Sequence, residues 1–256
     1  MKLGRRYVEK LWGRAQLPPM FDPPPGQRIG EVWFTGGGDQ PLLVKYLFNS
    51  ERLSIQVHPD DAQARARGLA QGKSECWYIL DAEPGATLGL GLTRPVSAAE
   101  LSAAALDGSI EQLMDWRAVR AGDFFMVPPG TIHAIGGGIS LLEFQQNADV
   151  TYRLYDYGRP RALHLDDGIA VARAGPYPDS LAQHLSPDDE RTLVDGPRFV
   201  LACTTADLFS DRQRWVIPLD GTATSDGDSG AAGDCLLVPA GERVDSDGRM
   251  LIGASA

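Results

Sequence analysis

The sequence has 256 residues, enough to bury a full hydrophobic core as one large domain or two small ones. Its 43% hydrophobic and 23% charged residues are ordinary for a soluble globular protein, and no window of about 18 apolar residues predicts a membrane span. The net charge of −10 argues against a nucleic-acid-binding protein, because such proteins need clustered lysine and arginine on one face.

Features near the start of the chain and the use of cysteine predict a cytoplasmic location. The first 14 residues carry several charges and lack the apolar segment of a signal peptide. The three cysteines are widely spaced and form no CxxC pair, which is typical of reduced, buried thiols. They are Cys76, Cys203 and Cys235.

The first half of the chain predicts short strands interrupted by loops and short helices. The proline-rich stretch Leu17–Gly26 predicts an irregular loop. Runs of branched and aromatic residues bounded by turn formers predict strands at Glu31–Thr35, Leu42–Phe48, Leu53–Val57 and Glu75–Leu80. Polar and capping patterns predict short helices at Asp60–Gln71, at Ser97–Leu106 and from Ser109 onward.

The second half continues the strand pattern. Strands are predicted at Phe124–Val127, Ser140–Gln145 and Val150–Tyr155, then at Arg198–Thr204, Trp215–Leu219 and Cys235–Val238. Many short strands with closely spaced turns favour an antiparallel sandwich or barrel over a βαβ fold. The polar, proline-bearing stretch 174–197 predicts a connection to a second unit.

An internal repeat supports this division into two units. The segment Gly122–His133 is echoed 111 residues later by Gly233–Val244, with Gly, Asp, Val, Pro and Gly at matching places. Chance recurrence of a turn–strand–turn unit is one explanation, and two barrels of like fold is the other. Val244 stands where His133 stands, so the second copy is predicted to lack a metal site and to be structural or lid-forming.

Same-face polar pairs within apolar strands are the candidate functional residues. Alternation along a strand places Gln56 and His58 on one side, and it pairs Lys73 with Glu75 if that segment is extended. The turn residues before His133 tip it toward a barrel mouth.

Two further polar pairs share a face by the same alternation, Glu143 with Gln145 and Thr151 with Arg153. Burying such groups costs several kcal/mol unless they are paired or bound to a metal, and two imidazoles with a carboxylate suit zinc. Taken singly, each residue also fits an ordinary structural role, and His164 and His184 are interpreted as structural.

Three runs together resemble a known family. They are LSIQVHPDD (53–61), KSECWYIL (73–80) and VPPGTIHAIGGGISLLEFQQNADVTYRLYDYGR (127–159), and with the opening GRRYVEKLWG and GEVWF they are similar to the short bacterial class I mannose-6-phosphate isomerases of the cupin superfamily. The resemblance covers roughly residues 1–175 and implies a mostly β fold. That fold is a cupin-type jelly-roll barrel carrying the metal site, a second, smaller cupin-like β unit, and a few short helices.

The resemblance also implies the catalytic domain and the site residues, while the second domain is inferred mainly from the internal repeat. We expect a catalytic domain at 1–175 with a helical insertion near 97–116, and a small domain without a metal site at 176–256. Zinc would be held by Gln56, His58, Glu75 and His133, with manganese and cobalt as alternative ions. Arg153 would be the active-site arginine, Lys73 would line the sugar-phosphate site, and Glu143 would transfer the proton.

The activity implied is the interconversion of mannose 6-phosphate and fructose 6-phosphate through a cis-enediol, with a small sugar phosphate as the partner and neither nucleic acid nor a membrane. A metal-bound water or a neutral Lys73 are alternatives to Glu143 as the proton shuttle. Two histidines and a glutamate also fit a non-haem iron oxygenase, and a non-catalytic sugar-binding module is a further alternative. The lysine and arginine placed to meet a phosphate favour the isomerase.

Overall fold

The computed structural model describes residues 1–256 and is built mainly from short β-strands, which confirms the mostly β prediction. The strands are β1 Gly4–Arg14, β2 Ile29–Thr35, β3 Leu42–Asn49, β4 Ile55–Val57, β5 Glu75–Ala82, β6 Thr87–Leu92, β7 Met114–Ala118, β8 Asp123–Val127, β9 His133–Ile135, β10 Ile139–Gln146, β11 Tyr152–Tyr155, β12 Ala182–His184, β13 Arg191–Asp195, β14 Phe199–Thr204, β15 Arg214–Pro218, β16 Thr222–Ser225, β17 Asp228–Ala231, β18 Leu236–Val238, β19 Asp245–Ser246 and β20 Met250–Ser255. The helices are α1 Asp61–Arg65, α2 Ala98–Asp107, α3 Ile110–Leu113 and α4 Leu165–Val171. None of the helices has the length and apolar character that crossing a bilayer requires.

Two antiparallel sheets form the barrel that the sequence predicted. One sheet has the order β1-β2-β3-β10-β5-β8-β12 and the other the order β11-β4-β9-β6-β7. The chain crosses between the sheets at each step from β3 to β6, and again at each step from β8 to β11. This alternation is the Greek-key wrapping of a jelly roll, and it explains why residues far apart in sequence meet inside the barrel.

The central strands are buried on both faces, which explains their apolar composition. All eight residues of β3 and of β10 are buried. One face lines the barrel, while the other packs on the second unit, where the Phe144 ring meets Phe199 edge-on at 5.2 Å and Trp215 at 6.4 Å between centroids. A single apolar cluster therefore runs from the first sheet into the strands after residue 198.

Phe199→Ala is expected to destabilise the protein by about 3–5 kcal/mol, because it removes a fully packed ring from this shared cluster and leaves a cavity. Urea unfolding followed by circular dichroism measures the change. The control is Leu106→Ala, whose side chain is 68% exposed and whose loss is expected to cost about 0.5 kcal/mol or less. A cost for Phe199→Ala as small as that of the control would contradict the role of this cluster.

The second unit has the predicted smaller β architecture. Its sheets have the orders β13-β14-β20-β15-β18 and β17-β16-β19, and the chain again alternates between them from β15 to β16 and from β17 to β20. The exact bounds of the two domains stay a prediction; β12, which begins at residue 182, pairs with β8 of the first barrel.

The internal repeat has the same local geometry in both copies. Gly122 and Gly233 have φ of 88° and 93°, and Gly130 and Gly241 have φ of 85° and 82°. In each copy the aspartate after the first glycine accepts a hydrogen bond from the backbone three residues before it, at 2.9 Å in the first and 3.1 Å in the second. The glycines are needed because side-chain-bearing residues rarely adopt this left-handed region. Val244 is buried where the first copy has His133.

Several element bounds differ from the sequence prediction. Helix α1 ends at Arg65 rather than at Gln71, because Gly68 adopts a φ of 76° and the Leu69 N–H bonds back to the Ala64 carbonyl in a helix-terminating turn. The end of the predicted helical insertion forms β7 instead. The long strand β1 was not predicted, because its charged residues come as adjacent pairs, Arg5 with Arg6 and Glu9 with Lys10, which interrupt the alternation of polar and apolar residues that predicts a strand.

Candidate metal centre and active site

Strand β4 brings three predicted site residues side by side. It lies between β9 and β11, so Gln56 stands opposite His133 on one neighbour and Arg153 on the other. His58 follows directly where β4 ends. The Gly130 N–H donates to the His58 carbonyl at 2.8 Å, which ties the loop before His133 to the loop that carries His58.

Glu75 reaches the same space from the facing sheet. It begins β5, between β10 and β8, and its side chain is 1% exposed. His58 and His133 are equally buried, at 2% and 1%. The wrapping of the barrel therefore places one carboxylate against two imidazoles in a closed interior.

The spacing of these three side chains matches the ligand shell of one small cation. The Nε2 atoms of His58 and His133 each lie 3.5 Å from a different oxygen of Glu75. These distances are too long for good hydrogen bonds. They are close to the roughly 3.4 Å that separates neighbouring ligand atoms in a tetrahedral shell with bonds of about 2.1 Å.

The hydrogen bonds that the three residues lack also fit a cation. Both ring nitrogens of His58 are buried without a hydrogen-bond partner, and Oε2 of Glu75 is buried with only the ammonium of Lys73 and the ring of His58 beside it. The carbonyl of Thr131 lies 2.9 Å from Nδ1 of His133, which favours the tautomer that leaves the Nε2 lone pair free. Burial lowers the pKa of both histidines, that of His58 to about 3, so both imidazoles are neutral and able to ligate.

Gln56, the fourth predicted ligand, contacts the cluster through its amide. Its Nε2 lies 3.2 Å from Nε2 of His133, and its Oε1 accepts a hydrogen bond from the Ser54 hydroxyl at 3.0 Å. A half-turn of the amide exchanges the two atoms and presents the oxygen to the cluster. The Gln56 amide therefore borders the cluster, with its nitrogen rather than its oxygen toward His133.

Lys73 and Glu143 extend the cluster along the sheet. The Lys73 ammonium lies 2.9 Å from Glu75 and 3.3 Å from Glu143. Burial lowers the pKa of Lys73, but the two carboxylates outweigh burial and raise it above its usual value. This disfavours the neutral Lys73 that was one candidate for the proton shuttle.

The two carboxylates of the cluster differ in their affinity for a proton. Burial and the charge of Glu75 raise the pKa of Glu143 to about 7, although Lys45 and Lys73 oppose the shift. Burial also raises the pKa of Glu75, but Lys73 and the histidines outweigh it and hold that pKa well below its ordinary value. Glu143 is thus the carboxylate suited to exchanging a proton near neutral pH.

Glu75, Lys73 and Glu143 line a cavity with a volume of about 440 Å³. Arg153 lines this cavity too. One of its guanidinium nitrogens donates to the Ala162 carbonyl at 2.8 Å, while its Nε is buried without a partner. Arg161 lines the cavity beside it and is held by Asp156 at 2.6 Å. Two neighbouring guanidinium groups therefore line the cavity.

Sequence reasoning missed Lys45 and Glu31. Lys45 lies opposite Glu143 on the neighbouring strand, and its ammonium is 3.3 Å from Glu143 and 3.4 Å from Glu31. Lys45 is the only charged residue in the apolar run of β3, and the chain has only four lysines. That isolated charge was the signal that could have identified it.

The histidines interpreted as structural lie outside the cavity. Nδ1 of His164 accepts a hydrogen bond from the Arg153 backbone at 3.2 Å, and His184 lies 2.8 Å from Asp123. Neither lines the cavity or joins the cluster. The His164 contact joins its loop to the backbone of β11, and the His184 contact joins two side chains.

Curated relatives of this chain share one name. A mannose-6-phosphate isomerase of Streptococcus mutans is 42% identical, with 63% of this chain and 53% of that protein aligned. The mannose-6-phosphate isomerase ManA of Bacillus subtilis is 36% identical, with 70% of this chain and 69% of that protein aligned. The chain thus spans about half the length of the S. mutans relative and two thirds of ManA. No protein-family model matches the sequence.

Solved structures agree with the relatives. The crystal structure of the mannose 6-phosphate isomerase from Bacillus subtilis aligns with a TM-score of 0.78 and 26% identity, covering 98% of both chains. A zinc-bound mannose 6-phosphate isomerase aligns with a TM-score of 0.74 over 99% of this chain and 98% of that one. At 14% identity, the latter likeness establishes the fold alone.

Proposed function

Because this chain belongs to the mannose-6-phosphate isomerase family, we propose that it interconverts mannose 6-phosphate and fructose 6-phosphate through a cis-enediol. The observation that carries the proposal is the buried cluster of His58, Glu75 and His133, whose Glu75 lines one cavity together with a protonatable carboxylate and several cations. Isomerisation of an aldose to a ketose needs those elements, a group that moves a proton between C1 and C2 and positive charge beside the enediolate oxygens.

His58, Glu75 and His133 would hold a divalent ion, with the Gln56 amide as the fourth group. Zinc is our first choice, since nitrogen and carboxylate ligands at tetrahedral spacing suit it and a family structure is described as zinc-bound. When bound, the ion supplies Lewis acidity toward the sugar oxygens. The neutral Gln56 oxygen would leave more net positive charge on the site than a second carboxylate would.

Glu143 is the proposed proton carrier. In its ionised form it removes the proton from one of the two carbons, and in its protonated form it returns the proton to the other. A pKa near neutrality allows both directions, because neither form is strongly favoured at cellular pH. Lys73, 3.3 Å away, stabilises the ionised form and the enediolate.

The guanidinium groups of Arg153 and Arg161 are the proposed partners of the sugar phosphate. Arg153 and Arg161 line the cavity together, and Arg153 has a free Nε. Arginine binds phosphate through two parallel hydrogen bonds, which fixes orientation as well as charge. The sugar carbons would then lie between these groups and Glu143.

A coupled assay tests the function directly. Fructose 6-phosphate is supplied with zinc, and formation of mannose 6-phosphate is measured. Rapid turnover without oxygen consumption is expected. Oxygen uptake with iron bound and no isomerisation would favour the oxygenase alternative, since two histidines and one carboxylate are also the iron ligands of that class.

Arg153→Ala is expected to lower kcat/KM for fructose 6-phosphate by about 100-fold or more, because a bidentate charged contact to substrate is lost. Steady-state kinetics measures the loss. Arg198→Ala, which removes a half-exposed arginine paired with Asp61 outside the main cavity, is the control and is expected to leave the constants unchanged. Near-normal kinetics of Arg153→Ala would make Arg153 a structural residue.

A further inference from the structure

Three of the four lysines lie in one chain of alternating charges along the cavity wall. Lys10 contacts Glu31 at 3.0 Å, Glu31 contacts Lys45 at 3.4 Å, and Lys45 contacts Glu143 at 3.3 Å. The row of charges continues from Glu143 to Lys73 and from Lys73 to Glu75. All of these side chains line the cavity that contains the proposed active site.

The register of the strands explains how this row of alternating charges forms. Trp33, Lys45, Glu143 and Trp77 lie directly opposite one another on four neighbouring strands, so their side chains share the face toward the cavity. Glu31 is two residues before Trp33 on β2 and therefore points the same way.

Both carboxylate oxygens of Glu31 have partners within this row of charges or beside it. Its Oε2 accepts from the Trp33 indole at 3.0 Å and faces Lys10, while its Oε1 faces Lys45. Only 6% of Glu31 is exposed. Burial alone would raise its pKa, but Lys45 and Lys10 lower it to about 2, so Glu31 is a permanent anion.

Lys45 has few restraints other than Glu31. Its ammonium contacts only the two carboxylates, and it lies 5.7 Å from the Trp33 ring centre. A lysine side chain carries about 2 kcal/mol of rotamer entropy, so one ion pair restrains it poorly. Glu143 already shares the same oxygen, Oε1, with Lys73.

We propose that Glu31 is a positioning residue that holds the Lys45 ammonium at the cavity wall beside Glu143, with Lys10 holding Glu31 from the outer side. Lys45 then presents a fixed positive charge to Glu143 and to the sugar oxygens next to it. The catalytic part of this inference rests on the proposed isomerase function. A buried ion pair of this kind contributes little to folding stability by itself, which favours a role at the site.

Glu31→Gln tests the proposal because glutamine keeps the size and the acceptor for Trp33 while removing the charge. We expect kcat to fall about 10- to 100-fold, as when partners that orient active-site groups are lost. KM and bound zinc are expected to stay unchanged. Glu9→Gln, an exposed carboxylate on β1, is the matched control and is expected to behave like the unmodified protein.

A double-mutant cycle separates positioning from a general structural effect. If Glu31 acts through Lys45, Glu31→Gln adds no further loss of kcat to Lys45→Met, since the group it positions is gone. Losses that multiply in the double variant would overturn the proposal. So would a loss of zinc from Glu31→Gln equal to its loss of kcat.

Chemical labelling gives a readout that does not need turnover. Acetic anhydride followed by peptide mass spectrometry measures the accessibility of each lysine. Glu31→Gln is expected to increase labelling of Lys45 several-fold while Lys2, 46% exposed, stays unchanged. Unchanged labelling of Lys45 overturns the positioning role. Increased labelling in a protein without isomerase activity would instead support positioning and contradict the proposed function.

Discussion

His133→Ala is expected to lose both tightly bound zinc and isomerase activity, with kcat falling by more than about 100-fold. Removal of residues that merely orient a ligand costs about 10- to 100-fold in metal affinity or activity, so loss of a ligand should cost more. The structural reason is that His133 supplies one of only three strong donors, and His58 and Glu75 cannot replace it. Metal analysis after dialysis and steady-state kinetics measure the two losses.

Thermal unfolding provides an independent measure for the same variant. An ion that binds only the folded state stabilises it, so zinc should raise the Tm of the EDTA-treated unmodified protein but not that of His133→Ala. His184→Ala is the control, because His184 is half-exposed and pairs with Asp123 outside the cavity. Full activity of EDTA-stripped protein would contradict any role of a metal.

Strand alternation was enough to predict which polar residues share a face of one strand. It did not predict that pairs on different strands come together in one site. Gln56 and His58 share a side of one strand, and Lys73 and Glu75 come together at 2.9 Å as their spacing suggested. Nothing in that spacing says that β4 and β5 lie in facing sheets. Only the jelly-roll crossing, which the sequence indicated through resemblance, brings Glu75 to the histidines.

Lys45 shows why the site was predicted incompletely. Alternation of polar and apolar residues is lost in β3, because the barrel interior covers one face and the second unit covers the other. Without that pattern, the sequence of β3 does not show that Lys45 faces the barrel interior. No residue of β3 pairs with Lys45 either. Its partners Glu31 and Glu143 lie on neighbouring strands, so their contacts depend on register, which local sequence does not determine.

The repeat shows the opposite situation, in which local sequence was sufficient. Glycines with left-handed φ and an aspartate that accepts a backbone hydrogen bond recur in both copies, since each depends on contacts only a few residues apart. The role of the residue at the twelfth position of the repeat depends instead on the packing of the whole unit. In the first copy it holds His133 beside Glu75, and in the second it holds the buried Val244.

Glu143→Gln is expected to lower kcat by about 10²- to 10⁴-fold while KM and bound zinc change little, because glutamine keeps the shape but cannot accept a proton. Lys45 and Lys73 keep their other carboxylate partners, Glu31 and Glu75, so the variant should fold normally.

The sharper measurement for Glu143→Gln is NMR of mannose 6-phosphate in D₂O, in which exchange at C2 reports proton removal even without net conversion. Exchange should become undetectable in this variant and remain normal in the control Glu83→Gln, whose carboxylate is 69% exposed. Undiminished exchange in Glu143→Gln would transfer the role of base to another group, while loss of exchange with zinc retained would separate proton transfer at Glu143 from the metal held by His58, Glu75 and His133.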